Sequence, residues 1–347
     1  MSFKNKPEHK CFGFIVVNGH QERQKTSFRI MIYARNYIKA ILRISHISFL
    51  CISICIFSAG IQYVCAQDIQ FQFIRAIGKS GLYQGEFIKP QGIAVDISGR
   101  IYVADTGNNR IQLLLQDSSV YKVYGGFGKD ISQFDGPVSV WAGDGLYVCI
   151  ADKNNHRIVI LDRVLNYISQ IDGRSSADQS LNFRYPMSAA RSSSGELFIL
   201  DSENKRVIRY NAGGIPINSF GGNSSAGPPL RLPIKLVLFE TQMIYISDGA
   251  QRAVIAYDYF GNYRGLIGQK ILQTPAGLTV SDKGDIILCD SSRRQVIIFN
   301  PSGRILGTLM YTTITNPVDV AFYNNALYVL NNGENTILIF KMIYNKF

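Results

Sequence analysis

The stretch PQGIAVDISGRIYVADTGNNRIQLL, residues 90–114, runs from a proline through a short apolar segment, a Ser-Gly turn, a second segment ending at Asp105, a polar TGNN turn and a third apolar segment. Runs of Ile, Val, Tyr and Leu bounded by Gly, Asn, Asp and Ser read as short antiparallel strands joined by tight turns. The plan returns as YVCIADKNNHRIVILD at 147–162, LFILDSENKRVIRY at 197–210, IYISDGAQRAVIAYD at 244–258, IILCDSSRRQVIIFN at 286–300 and LYVLNNGENTILIF at 327–340. A proline precedes each hairpin, at Pro90, Pro137, Pro186, Pro233, Pro275 and Pro317, spaced by 47, 49, 47, 42 and 42 residues. The first run of each hairpin ends at Asp105, Asp152, Asp201, Asp248, Asp290 and Asn331, spaced by 47, 49, 47, 42 and 41.

Two independent markers with one period of about 40 to 50 residues, each unit holding four short strands, are the signature of propeller blades. The fold class expected is all-β, a six-bladed β-propeller of four-stranded antiparallel blades. Each proline opens the innermost strand, where its missing N–H removes no bond that the sheet needs. The last hairpin ends at Phe340 without room for a fourth strand, whereas FQFIRAIG at 71–78 precedes the first proline and matches an outer strand. The ring is therefore expected to close with the N-terminal strand of the mature chain in the sixth blade.

Composition fits a globular body: 347 residues, 46% hydrophobic and 18% charged, too apolar for a disordered chain. The net charge of +11 is unevenly placed. Residues 1–66 hold nine Lys and Arg against two acids, so the remainder carries only +4, and a nucleic-acid partner is not expected from basicity. From Ile44 to Gln67 no residue is formally charged, Arg35, Lys39 and Arg43 stand just ahead, and Val64-Cys65-Ala66 closes the run. That order is a secretory signal peptide cut after Ala66, starting from Met1 or Met31; the alternative is an uncleaved membrane anchor. Either places the body outside the cytoplasm, secreted, periplasmic or at the cell surface. The domains expected are a leader at 1–66 and a propeller at 68–343. Cys149 and Cys289, inside second strands of blades two and five, read as buried free thiols too far apart to bridge.

Asp105/Arg110, Asp152/Arg157 and Asp201/Arg206 flank a four-residue turn and face each other across the hairpin, where the Asp also accepts turn N–H groups. Asp248 and Asp290 keep the acid, but Ala253, Gln295 and Thr336 stand at the Arg position and Asn331 replaces the last Asp, so those turns are held otherwise. The proline, then G-I-A-V-D, then I-Y-V-A-D-T-G-N-N-R-I closely resembles the NHL repeat family, over about residues 68–343 and most strongly at 90–114. The resemblance implies a six-bladed propeller used mainly to bind protein, RNA or other ligands, with a few enzymes on related rings; fold alone does not assign function.

Related amidating lyases acting on peptidyl-hydroxyglycine hold zinc with several histidines, and streptogramin lyases also depend on histidine. After residue 66 this sequence has one, His156, read as a solvated turn residue. One imidazole cannot make a three-ligand site, so no metal or cofactor is expected and the reading leans away from an enzyme. Calcium-dependent lactonases on similar rings use Glu, Asp and Asn around the channel. Two residues after each proline stand Gly92, Ser139, Ser188, Lys235, Gly277 and Asp319. Lys235 and Asp319 depart from the small residues and are candidates for a polar channel mouth, an internal ion pair being the alternative.

The turn between second and third strands and the loop into the next blade emerge on one face. Arg252, Arg293 and Arg294 lie there in blades lacking the turn Arg, which suggests an anion-binding rim; the alternative is ordinary solvated charge. The function expected is an exported scaffold for a protein or anionic glycan, touching membrane only through an uncleaved anchor. The competing class is an extracytoplasmic lyase or lactonase with its site at the channel mouth.

Overall fold

The computed structural model describes residues 68–345 apart from 224, 226, 240 and 241. The leader reading at 1–66 lies outside these residues. Six four-stranded sheets make up the described chain, with only single-turn 3₁₀ helices at Thr106–Asn108 and Gln179–Leu181. Among the described residues no helix is long and apolar enough to cross a membrane. The all-β six-bladed propeller expected from the repeat is the fold observed.

The innermost strands are Gly92–Val95, Pro137–Trp141, Pro186–Arg191, Pro233–Phe239, Pro275–Val280 and Pro317–Tyr323. A proline opens five of them, and in the first blade the strand starts two residues after Pro90. Second and third strands, such as Ile101–Asp105 and Arg110–Leu114, lie between two neighbouring blades. Both faces of each are covered, which is why their sequence is an unbroken apolar run rather than an alternation. Outer strands meet solvent, and Ile305–Met310 reads exposed at both ends.

The core is six clusters, one at each junction between successive blades. Tyr102, Ile111 and Leu113 of the first blade pack on Val140, Val148 and Val159 of the second. Cys149 lies in the cluster between blades two and three, and Cys289 between five and six. Both are free and buried, and burial pushes the Cys149 thiol up to about 12. These are inert packing groups, as the sequence indicated.

Ring closure follows the expected route. Strand Ile69–Ile77 pairs antiparallel with the C-terminal strand Thr336–Tyr344 and completes the sixth blade as its outer strand. Ile69 and Ile77 are buried on either side of that blade, in the clusters facing blade five and blade one respectively. The Asp68 N–H donates to Leu306 O at 2.8 Å, and Asp68 pairs with Arg304 at 2.6 Å, fastening the strand to blade five. Removing residues 68–78 strips the sixth blade of its outer strand and both clusters of an isoleucine. The thermal midpoint of that truncation should fall sharply, and Ile69→Ala alone should cost about 2 to 5 kcal/mol in denaturant unfolding. An unchanged midpoint would mean the ring closes some other way.

Candidate functional site

The repeat acid does more than answer the turn Arg. Asp105 is fully buried at the end of its strand, and its Oδ1 accepts the backbone N–H of Ile88 at 2.8 Å, in the loop entering the same blade. Asp152 takes the N–H of Asp135 at 2.9 Å, Asp201 that of Arg184 at 3.2 Å, and Asp248 that of Arg231 at 2.7 Å. Asp290 takes Gln273 and Thr274, and Asn331 takes Thr315 and Asn316. All six blades thus pin their entry loop with one buried oxygen-bearing side chain.

In the first three blades the guanidinium completes the clamp. Arg157 Nε donates to Asp152 at 2.7 Å, while its Nη atoms donate to the carbonyls of Lys129, Asp130 and Gln133 in the entry loop. Arg110 does the same with Asp105 and the carbonyls of Leu82, Tyr83 and Glu86. An asparagine three residues after the acid, Asn108, Asn155 or Asn204, donates to the same carboxylate. Blades lacking the Arg compensate. Asp248 also accepts the N–H of Ala250 and Gln251, and Asn331 itself donates Nδ2 to Thr313 O at 2.8 Å, combining acceptor and donor in one amide. Burial raises the Asp152 carboxyl, against the lowering pull of Asn155 and of Arg157.

The last residue of each of these turns adopts left-handed φ: Asn109, His156, Lys205, Arg252, Arg294 and Asn335. Three of them latch the next blade. Asn109 Oδ1 accepts the N–H of Gly136 at 2.8 Å, Asn335 Oδ1 that of Lys89 at 2.7 Å, and His156 Nδ1 that of Tyr185 at 3.1 Å. His156 is therefore not the solvated turn residue expected. It is partly buried and edge-on to Tyr185, with ring centroids 4.4 Å apart, and it accepts a bond only while Nδ1 is unprotonated. Burial lowers its pKa, helped by Arg174 and Arg184. Lys and Arg cannot accept, so at Lys205, Arg252 and Arg294 this latch is absent and the side chains are exposed. Arg293 is exposed beside them, and none of Arg252, Arg293 or Arg294 has a side-chain partner among the described residues.

At the axis, Lys235 and Asp319 meet. Lys235 Nζ lies 2.7 Å from Asp319 Oδ2 and donates to Ser139 Oγ at 3.2 Å; the residues are 8% and 1% exposed. Asp319 also accepts the N–H of Ile93 at 3.0 Å, and burial raises its carboxyl while the ammonium pulls the other way. A register shift just after the opening proline in blades two to six sets the chain for these contacts. The small residues at the same level are required by crowding. A Cβ on Gly277 would sit 2.1 Å from Asp319 Oδ1, and one on Gly92 2.8 Å from Ser139 Cα.

This pair divides the channel. On the turn face lies a cavity of about 330 Å³ lined by Gln91, Met187, Asn316 and Asn332 among others. A second, of about 280 Å³, lies at the opposite end, and Lys235 is the residue common to both linings. The structure thus joins Lys235 and Asp319 to each other, while Arg252, Arg293 and Arg294 stand on the turns outside either lining. Among the described residues no group of three or more His, Cys, Asp or Glu is placed to hold a metal ion.

Residues 87–112 match the family model described as NHL repeat. The human NHL repeat-containing protein 3 is 26% identical over 45% of this chain and 43% of its own length. A probable peptidyl-alpha-hydroxyglycine alpha-amidating lyase of Caenorhabditis elegans is 27% identical over 39% of this chain and 43% of its own. The chain spans less than half the length of the curated relatives it matches. Among solved structures a streptogramin B lyase superposes with a TM-score of 0.56 at 12% identity, covering 80% of this chain and 88% of the other, a likeness of fold alone.

Two tests follow from the clamps and latches. Arg157→Ala takes the cation from a buried carboxylate, which keeps only Asn155 and the Asp135 N–H, leaves three loop carbonyls unanswered, and should cost about 3 to 5 kcal/mol in urea unfolding. Asp152→Asn with Arg157→Thr copies blade six and should cost less than Arg157→Ala; an equal or larger loss would refute the amide substitution. For His156 burial holds the folded pKa below the usual imidazole value of about 6.5. Its contribution is full above about pH 6.5 and is lost as pH falls through that value toward the folded pKa, because the unfolded chain takes the proton first. His156→Asn keeps an acceptor that does not titrate, so the difference in stability between variant and parent should grow in the variant's favour below pH 6.5. A difference independent of pH would show that the latch is unimportant.

Proposed function

We propose that this chain, an NHL-repeat protein, is an exported recognition module that binds a protein or an anionic glycan through the turn face of its ring. The single observation that carries the reading is the contrast at the turns. Arg110, Arg157 and Arg206 are consumed by carboxylates and loop carbonyls, whereas Arg252, Arg293 and Arg294 spend nothing on the fold and lie exposed. Lys205, Arg252 and Arg294 hold the same turn position in three successive blades. This gives an arc of cations on loops held rigid by the buried clamps, so little ordering entropy opposes binding. Guanidinium forks suit carboxylate and sulfate groups. Export rests on the leader pattern at 1–66, and it separates the chain from cytoplasmic RNA.

The competing reading is an extracytoplasmic enzyme of lyase or lactonase type working at the channel mouth. The cavity of about 330 Å³ above Lys235 and Asp319 favours it. Against it stands the engagement of both groups with each other, and His156 is spent on Tyr185 rather than on the cavity.

On immobilised heparin at low salt, the variant Arg252→Ala, Arg293→Ala, Arg294→Ala should elute well before the parent, with unchanged thermal midpoint because none of the three supports the ring. Identical elution would remove the rim as the binding surface.

A further inference from the structure

The cavity at the end of the ring away from the turns has no part in the reading above. Val95, Trp141, Leu238, Val280, Phe322 and Tyr323 wall it, and every one is only partly buried. They stand at or near the far ends of the inner strands of blades one, two, four, five and six. Blade three contributes nothing to the lining; its inner strand ends at Arg191, whose guanidinium lies over the Tyr147 ring, 4.3 Å from the centroid. Each also packs against a blade-junction cluster, and the apolar surface they leave uncovered around this concavity is the kind that small apolar ligands cover.

The polar groups narrow the ligand further. Asp96 borders the chamber but is committed, accepting from Arg100 Nε at 2.7 Å and Tyr102 Oη at 3.0 Å. Asp282 also borders it, but at the exposed rim, where its charge stays hydrated and pairing it would gain little. Lys235 lines the inner side. Its ammonium has three N–H groups, and its bonds to Ser139 and Asp319 use two. Since Asp319 already balances that charge, a second anion brought alongside would be buried against a carboxylate with no cation of its own. An uncharged oxygen meets no such penalty.

We propose that this chamber binds a small uncharged apolar molecule carrying one hydrogen-bond acceptor, a ketone, ester or ether, with its hydrocarbon body against Trp141 and its oxygen accepting from Lys235. The site is separate from the arginine rim, at the other end of the channel.

The chain has a single tryptophan, so Trp141 reports on the chamber without interference. The probes are 1-acetyladamantane, 1-adamantanecarboxylate and 1-ethyladamantane, which share one skeleton and leave tryptophan excitation clear. Added to the full chain, the ketone should shift Trp141 emission to shorter wavelength with saturation. The carboxylate and the hydrocarbon should each bind about tenfold more weakly, the factor that one missing or opposed hydrogen bond supplies. In the double variant Lys235→Met, Asp319→Asn the ketone should lose its advantage over the hydrocarbon. No saturable shift with the ketone in the parent chain, or a carboxylate that binds as tightly, overturns the proposal. A ketone preference that survives the double variant overturns the role given to Lys235.

Discussion

One interaction recurs six times and the rest of the ring leans on it: a buried oxygen-bearing side chain at the end of each second strand accepts the backbone N–H of the loop that enters its own blade. These loops carry no continuous ladder of their own, only single backbone bonds such as Gly107 N–H to Ile88 O at 2.8 Å and the isolated Ser80–Phe87 and Phe127–Phe134 bridges. Placing a carboxylate there without donors would be costly, so the position demands the loop, and the loop is fixed by it. In blades one and two the guanidinium adds three loop carbonyls to the same node. The consequence is a face built of loops that behave as part of the scaffold.

That rigidity bears directly on the proposed function. Where a turn ends in Asn or His, its side chain is spent on the next blade. Where it ends in Lys or Arg, the blade forgoes that latch and gains an exposed charge at a fixed place. Latching the next blade and displaying a charge are alternatives at this position, and the blades divide between them. At the axis the same economy appears in another form: one lysine and one aspartate among glycine and serine close the channel at its middle, leaving a chamber on each side with different walls.

Much of this was legible beforehand. The proline and acid periods gave blade number, strand order and the closing strand because they are punctuation that the fold cannot do without. The clamp itself was hidden, since its donors are backbone groups of Ile88, Asp135, Arg184, Arg231, Gln273 and Thr315, and any residue but proline offers an N–H. The constant offset of 17 residues between donor and acid in the first five blades was the available signal. The role of His156 could have been found by aligning the turns, where it stands with Asn109 and Asn335. That Lys235 meets Asp319 was one of two readings; the period sets both at one level of the axis but not which neighbours meet across it. The apolar chamber left no mark, because Trp141 and Phe322 in a strand look the same whether they face a core or a cavity.

The claim that buried side chains make the loop face rigid is tested most directly by native-state hydrogen exchange read at single amides. The N–H groups of Ile88, Asp135, Arg184, Arg231, Gln273 and Thr315 should exchange as slowly as the second strands, although they lie in loops. Exchange of these six amides at the rate of the exposed loop residues around them would contradict the account.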